Sequence, residues 1–367
     1  MMKVKDIYQV LDKIAPFDTA YDYDNVGLLV GDENQTVQGI LLALDLTEAV
    51  VAQAIATKSN LIITHHPLIF KPLKKIVQQD FAGKLINSLI KHEISYIAMH
   101  TNLDRASNGV NDVLAEVIGL ENVHTITEEE RGSLVKLAVY IPQTHTEKLL
   151  ALLEEQAISF SGKYAACSFT SSGLGRFKPL QTANPYLGVL NIMQEVIEDK
   201  VEFLVPKQKI TELLMAIKAI HPYEEIAYDS YEMLTKERQL GILRTGTLNK
   251  ALSVEQLANI LKNKLQLTGV RASNLEKQVS CVAICGGSGA DYIKTAIKAG
   301  ADVLVTGDLK YHEAQEAQNM DLAVIALGHQ ESEQPVLKAL ASRLQQVLLE
   351  TAITVAVAKE TRIIEHL

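Results

Sequence analysis

The chain has 367 residues, 47% of them hydrophobic and 22% charged, a mixture that fits one or two packed cores and excludes a disordered protein. Lys and Arg number 35 against 44 Asp and Glu, so the net charge of −9 argues against a general polyanion-binding role while leaving room for a local basic pocket. Three cysteines without framework spacing indicate a reducing compartment, read as the cytoplasm. The N-terminal MMKVKDIYQVLDKIAP has the pattern of an amphipathic helix rather than a leader, and no apolar run is long enough to span a membrane.

In chain order, the first third alternates aliphatic runs with segments of helical period. GILLALDL, NLIITHH and ISYIAMH read as strands, and TEAVVAQAIAT and FAGKLINSLIKHE as helices between them. A further helix, NGVNDVLAEVIG, stops at Gly119. This is the rhythm of βα units in a parallel sheet buried on both faces.

The middle segment changes rhythm between the polar stretches TITEEERGS and LTKERQLG. It nearly repeats itself. A strand, Pro142 and a helix with Leu149 and Leu150 are echoed by a strand, Pro206 and a helix with Leu213 and Leu214. With KYAACSFTS and EIAYDSYEM as strands, the order is the βαββαβ of a ferredoxin-like α+β domain. The last third returns to the first rhythm, with CVAICGG, ADVLVTGD, LAVIALGH and ITVAVAKE as strands and two amphipathic helices. The expected fold class is therefore α/β. Residues 1–130 and 237–367 form one layered α/β core, interrupted by an inserted α+β domain over 131–236.

Polar residues cluster where the aliphatic runs end, the place where open α/β sheets gather ligands. One run stops at His65 and His66, one at His100 with Asp104 just beyond, one at Asp308, and one at Gly328 and His329. A single such residue is most simply a turn; four strand ends together point to a site. His65 and His66 would face opposite ways on a regular strand, but before Pro67 the chain can turn both inward. His329 and Glu333 stand four apart at a helix start, on one face. Three imidazoles and two carboxylates are too many for one open tetrahedral site and suit two metals sharing a carboxylate. The donors are N and O without S, which favours Zn, Mn, Fe or Co over Mg or Ca.

ITHHP, MHTNLD, GDLKYHEA, GHQESE and DNVGLLVG together resemble the signature segments of the GTP cyclohydrolase 1 type 2 homologues, the Nif three-like proteins, over essentially the whole chain. GRFKP, NP and HPYEE in the middle resemble the PII-like or CutA-like insert of the longer bacterial members. The resemblance implies two divalent metal ions per subunit, Zn first among them, on His65, His66, Asp104, His329 and Glu333. It also implies a toroidal homohexamer, a dimer of trimers or trimer of dimers.

Other residues keep two readings each. His100 and His312 are the acid/base candidates. Asp308, Lys310 and His312 either line the pocket or cap the following helix. Asp45 reads as a cap-region residue or a pocket carboxylate, with the cap preferred. Asn25 and Gly27 read as turn formers. Lys71, Lys74 and Lys75 form a solvated basic loop or draw in a phosphate. The CGGSG loop offers backbone N–H groups to an anion but lacks a P-loop ending. Cys281 and Cys285 read as small core residues, and HPYEE as a cap or an inter-subunit contact.

The leading functional reading is a metal-dependent hydrolase using a metal-activated water, acting on GTP at the guanine C8 as the family name implies, or on a phosphoester. A nucleotide or phosphorylated small molecule is the candidate ligand. The alternative is a metal-handling or regulatory toroidal scaffold without rapid turnover. Nucleic acid bound through the hole of a ring is a weaker third.

Overall fold

A computed structural model describes residues 2–126, 134–156, 158, 164–206, 209–232 and 240–364. The chain separates into two compact units, one of Met1–Glu128 with Gln239–Leu367 and the other of Glu129–Arg238. Among the described residues no helix is long and apolar enough to cross a membrane.

The first unit opens with α1 (Val4–Ile14), which buries Val4, Ile7 and Leu11 at the three- and four-residue spacing of one helical face. Next come β1 (Gly27–Val30), β2 (Gly39–Ala43), α2 (Glu48–Ala56), β3 (Leu61–Thr64), α3 (Phe81–Lys91) and β4 (Ser95–Ala98). Strands β2, β3 and β4 run parallel, while β1 joins β4 antiparallel. Every residue of β2, β3 and β4 is buried. Helices cover both faces of such strands, so the aliphatic runs need no polar alternation. The short α4 (Thr101–Arg105) leads into α5 (Val110–Ile118), which ends at Gly119 in the left-handed region, φ 86°. Strand β5 (Glu121–Thr125) follows.

The second unit is β6 (Leu134–Pro142), α6 (Thr146–Glu155), β7 (Ser168–Phe177), β8 (Gln194–Pro206), α7 (Ile210–Ile220) and β9 (Tyr228–Glu232). Its sheet has the order β7-β8-β6-β9 with every pair antiparallel, the ferredoxin-like arrangement. One face packs under the helices. Val135, Leu137, Val139 and Ile141 alternate inward from β6, meeting Val201, Phe203 and Val205 of β8 and Leu149, Leu153, Leu213 and Ile217 of the two helices. The near-repeat is visible here, since Leu149 and Leu213 are buried and Leu150 and Leu214 pack at the margin.

The first unit resumes with β10 (Arg244–Ser253), α8 (Val254–Lys264), β11 (Arg271–Ala272), β12 (Gln278–Cys285), α9 (Ile293–Lys298), β13 (Val303–Thr306), α10 (Tyr311–Asn319), β14 (Ala323–Ala326), α11 (His329–Glu333), α12 (Pro335–Val347) and β15 (Thr354–Val357). A second sheet forms in the order β11-β14-β13-β12-β10-β5, with β12, β13 and β14 parallel. The last strand leaves it: β15 pairs in parallel with β2, Thr354 opposite Gly39 and Val357 opposite Leu42. The core is thus two sheets that exchange strands, β5 passing from the first third to the second sheet and β15 returning to the first. Buried Arg244 ties β10 to the corner between α4 and α5, its guanidinium donating to Asp112 of α5 and to the carbonyls of Gly241, Arg105 and Ala106.

Candidate metal centre

The site begins where the parallel strands stop. Beyond β3, the N–H groups of His65 and His66 continue the ladder to the carbonyls of Ala43 and Leu44 at 3.2 and 2.9 Å. The hydroxyls of Thr64 and Tyr96 donate to the His66 carbonyl at 2.7 and 3.1 Å, and Tyr96 Oη accepts the Leu68 N–H at 2.9 Å. These bonds hold the His-His-Pro turn so that both imidazoles face the same space. From the next strand end come His100 and, on α4, Asp104. From the second sheet β13 delivers Asp308, and α11, starting directly after β14, places His329 and Glu333 on one helical face.

All four imidazoles are oriented alike. The Nδ1 of His65 bonds the Met99 carbonyl at 2.8 Å, that of His66 bonds Asp45 at 3.0 Å, that of His100 bonds Asp24 at 2.9 Å and that of His329 bonds Asp308 at 2.7 Å. An acceptor at Nδ1 places the proton there and leaves the Nε2 lone pair free, the arrangement by which outer partners prepare histidine for a metal. Two groups have all their donor atoms within 4.8 Å of one another, His65 with His66 and His100, and His66 with His329 and Glu333. Glu333 approaches three rings. Its carboxylate oxygens lie 3.7 Å from His65 Nε2, 3.0 Å from His66 Nε2 and 3.4 Å from His329 Nε2, while Asp104 lies 3.5 Å from His65 Nε2.

A divalent cation fits this donor set. His65, Asp104 and Glu333 are at most 7% exposed. Despite the proximity of His66 and Glu333, the Nε2 atoms of His65 and His66 and the Oε2 of Glu333 are buried without a hydrogen bond of acceptable geometry. Such orphaned atoms are costly unless another group satisfies them. The electrostatics agree. Burial opposes charge on His66, but the carboxylates of Asp45 and Glu333 overrule it and hold the ring's pKa up to about 10. Burial also opposes a charged His65, and Asp104 and Glu333 reverse the sign and raise it. Burial and the neighbouring Glu333 charge raise Asp104 beyond what His65 can offset. Glu333 resists the same desolvation because His65 and His66 hold it well below the usual carboxylate range. In the metal-free cluster the carboxylates therefore favour protons on His65 and His66, which a cation would displace.

The surroundings are built to keep Glu333 in place. Gly287 adopts φ +60°, and a Cβ there would overlap Glu333 Oε1. The loop's own N–H groups are taken by the protein: Gly286 donates to Asn111 at 2.7 Å, Gly287 to Ser332 at 2.9 Å and Gly289 to Thr306 at 3.0 Å. Those three groups are thus unavailable to an anion. The loop acts as a rigid seat for the Glu333 carboxylate.

The structure brings His65, His66, Asp104, His329, Glu333 and His100 together. It does not bring in His312, which is exposed on α10 with its ring edge-on to Tyr311. Asp308 and Asp45 serve the rings of His329 and His66 rather than capping. Sequence reasoning misses Asp24. Its carboxylate accepts from His100 and from both the N–H and hydroxyl of Thr101, 3.0 and 2.5 Å, which overcome burial and lower its pKa to about 2. The Asp-Asn-Val-Gly segment is the only trace of that role in the sequence. Asn25 donates to the Ile69 carbonyl at 2.5 Å, tying that segment to the loop after the histidine pair. In that loop Phe70 lies edge-on to His100 at 6.3 Å, and Lys71, Lys74 and Lys75 are exposed, Lys75 beside Asp80 at 3.5 Å.

Comparison with known proteins places these residues in context. The family model described as Duf34/NIF3 (NGG1p interacting factor 3) matches residues 2–362. A Bacillus subtilis protein named GTP cyclohydrolase 1 type 2 homolog is 38% identical over 326 residues, covering 89% of this chain and 87% of that one. A Staphylococcus epidermidis protein of the same name is 38% identical over 329 residues, 89% of each chain. Among solved structures, a Staphylococcus aureus protein superposes with a TM-score of 0.71 at 33% identity, covering 100% of this chain and 99% of the other. A Bacillus cereus protein related to NIF3 superposes with a TM-score of 0.67 at 34% identity over 98% and 97%.

Proposed function

This chain belongs to the Duf34/NIF3 family, and from that premise we propose that it is a metal-dependent hydrolase holding two divalent cations on His65, His66, Asp104, His329 and Glu333. The observation that carries the reading is the convergence of oriented imidazoles on buried atoms lacking hydrogen-bond partners. Zn is the first candidate, with Mn, Fe and Co sharing its preference for nitrogen and oxygen donors. Bound there, such ions supply Lewis acidity that brings a water's pKa toward neutrality.

The chain's own residues do the rest. Met99, Asp45 and Asp308 hold the Nδ1 protons of three ligand histidines, so that each Nε2 is available without a tautomer change. Glu333, within reach of three rings, would be the carboxylate able to serve both cations. His100, with Nδ1 anchored on Asp24, presents Nε2 toward the same space and is the group placed to take or return a proton there. His66 and His329 have side chains 23% and 38% exposed whereas His65 has none, so a substrate approaches from the His66–His329 side. The relatives' name directs the assay to GTP, with phosphoesters beside it because the lysines after His66 suit a phosphate.

The test is metal content on chelator-free protein together with hydrolysis of GTP and a phosphoester panel, with His65→Ala and His100→Gln alongside. About two ions per chain and turnover lost in His65→Ala support the proposal. Two ions without turnover on any substrate replace it with the metal-handling scaffold, and absence of bound metal refutes the centre.

A further inference from the structure

The second unit contains a cavity of about 290 Å³ that the proposed centre does not use. Its wall includes Phe177 at the end of β7, Tyr186 from the β7–β8 connection, Glu198 of β8, and Tyr223, Glu224 and Glu225 before β9. The aromatic rings form an arc, Phe177 and Tyr223 with centroids 5.7 Å apart and Tyr186 and Tyr223 6.4 Å apart. The carboxylates are placed by the fold. Glu198 Oε1 accepts the Tyr223 hydroxyl at 2.8 Å, and Glu198 Oε2 lies over Gly175 of β7, where a Cβ would overlap it. Glu224 accepts the Asn184 N–H on both oxygens, at 3.2 and 3.1 Å, pinning the connection that carries Tyr186.

The charges are unbalanced. Among the described residues no basic side chain comes within ion-pair distance of Glu198, Glu224 or Glu225. Arg176, the one basic residue among the described residues of the wall, is engaged by Glu195 at 2.8 Å. Ring faces and carboxylates both attract positive charge, and the remaining apolar wall of Pro179, Ala183, Pro185, Leu187 and Ala227 offers contact to methylenes rather than to a hydrated inorganic ion. The volume is at the small end of ligand sites.

We propose that this cavity binds a small organic cation, an ammonium or guanidinium compound of about the size of one amino acid. The positive group lies between the Tyr223 and Tyr186 rings against Glu198, and the aliphatic portion lies along Pro179 and Leu187. The HPYEE segment thereby acquires a role, with Tyr223 and Glu224 each serving the wall and the connection it supports.

The experiment is titration of the full chain with putrescine, arginine and choline by calorimetry and ligand-observed NMR, with glutarate as the anionic control. Saturable binding of at least one cation and none of glutarate is expected. Glu198→Gln keeps the Tyr223 hydrogen bond but removes the charge, and Tyr186→Leu removes an exposed ring without a hydrogen bond. Each should weaken binding roughly tenfold. The proposal is overturned by absence of saturable binding for all three cations at millimolar concentration. Binding left unchanged by both substitutions in folded protein overturns it equally.

Discussion

Gly287→Ala deletes no donor, yet it should weaken the proposed centre. The added methyl would overlap Glu333 Oε1 and sit 3.3 Å from His329 Nε2, at a backbone φ of +60°. Holding alanine in that conformation costs roughly 1–2 kcal/mol. Relieving the overlap requires the carboxylate to retreat by about 1 Å, since non-bonded carbon contacts begin near 3.5 Å. The carboxylate cannot retreat far, because Glu333 is 4% exposed and the imidazoles of His65, His66 and His329 enclose it. Disturbing a ligand's support typically lowers metal affinity about 10–100-fold. The assay is competition for Zn against a chromophoric chelator, with circular dichroism and melting to show that the variant folds. The expected result is a melt lowered by a few degrees, with affinity reduced by that factor. Wild-type affinity and stoichiometry in a folded variant would refute both the seat and the role given to Glu333.

Asp308→Ala removes the acceptor from His329 Nδ1, and metal affinity measured by the same competition should fall about 10–100-fold with the fold intact. Arg244→Met removes the donor to Asp112 Oδ1 and to the buried carbonyls of Gly241, Arg105 and Ala106, of which Ala106 keeps the Gly109 N–H. Chemical denaturation should register a loss of about 3–5 kcal/mol, larger than any ligand substitution produces in metal-free protein. In the second unit, burial lowers the pKa of His221, whose Nε2 bonds the Tyr140 carbonyl at 3.0 Å while Nδ1 accepts the Tyr223 N–H at 3.1 Å. Because the folded state resists protonation, its contribution is full above the unfolded histidine pKa of about 6.5 and is lost as pH falls through the folded value. Between about pH 7.5 and 5.5 the wild type should lose more stability than His221→Gln, and equal losses would contradict the burial argument.

Much of this was legible in the sequence, and the reasons are physical. Strands β2, β3, β4, β13 and β14 are continuous aliphatic runs because both faces are covered, so they stand out from helical periodicity. His65, His66, His100, Asp104 and His329 are readable as candidates because each follows such a run within a few residues. Pairing is another matter. Nothing in ITVAVAKE says that β15 joins β2 rather than its neighbours in sequence, because a four-residue aliphatic strand fits any parallel edge. Asp24 escapes notice because its bond to His100 spans 76 residues and starts from a turn without periodicity. His312 has the right residue type near the right strand end, but α10 turns it to solvent, and a single residue's helical phase is not set by the motif containing it.

The path of β15 bears on how the protein is made. The sheet carrying His65 and His66 has its four N-terminal strands by residue 98, but the edge of β2 stays open until residues 354–357 emerge to pair with it. Glu360, just beyond, then accepts the Leu44 and Asp45 N–H groups at 2.8 and 3.1 Å, across more than 300 residues of chain. During synthesis at about 5–20 residues per second, that edge is exposed for tens of seconds as a template for other chains. Residues 354–360 therefore act as a late lock, and a nascent chain shortened before Thr354 should be a client of chaperones rather than a smaller working protein.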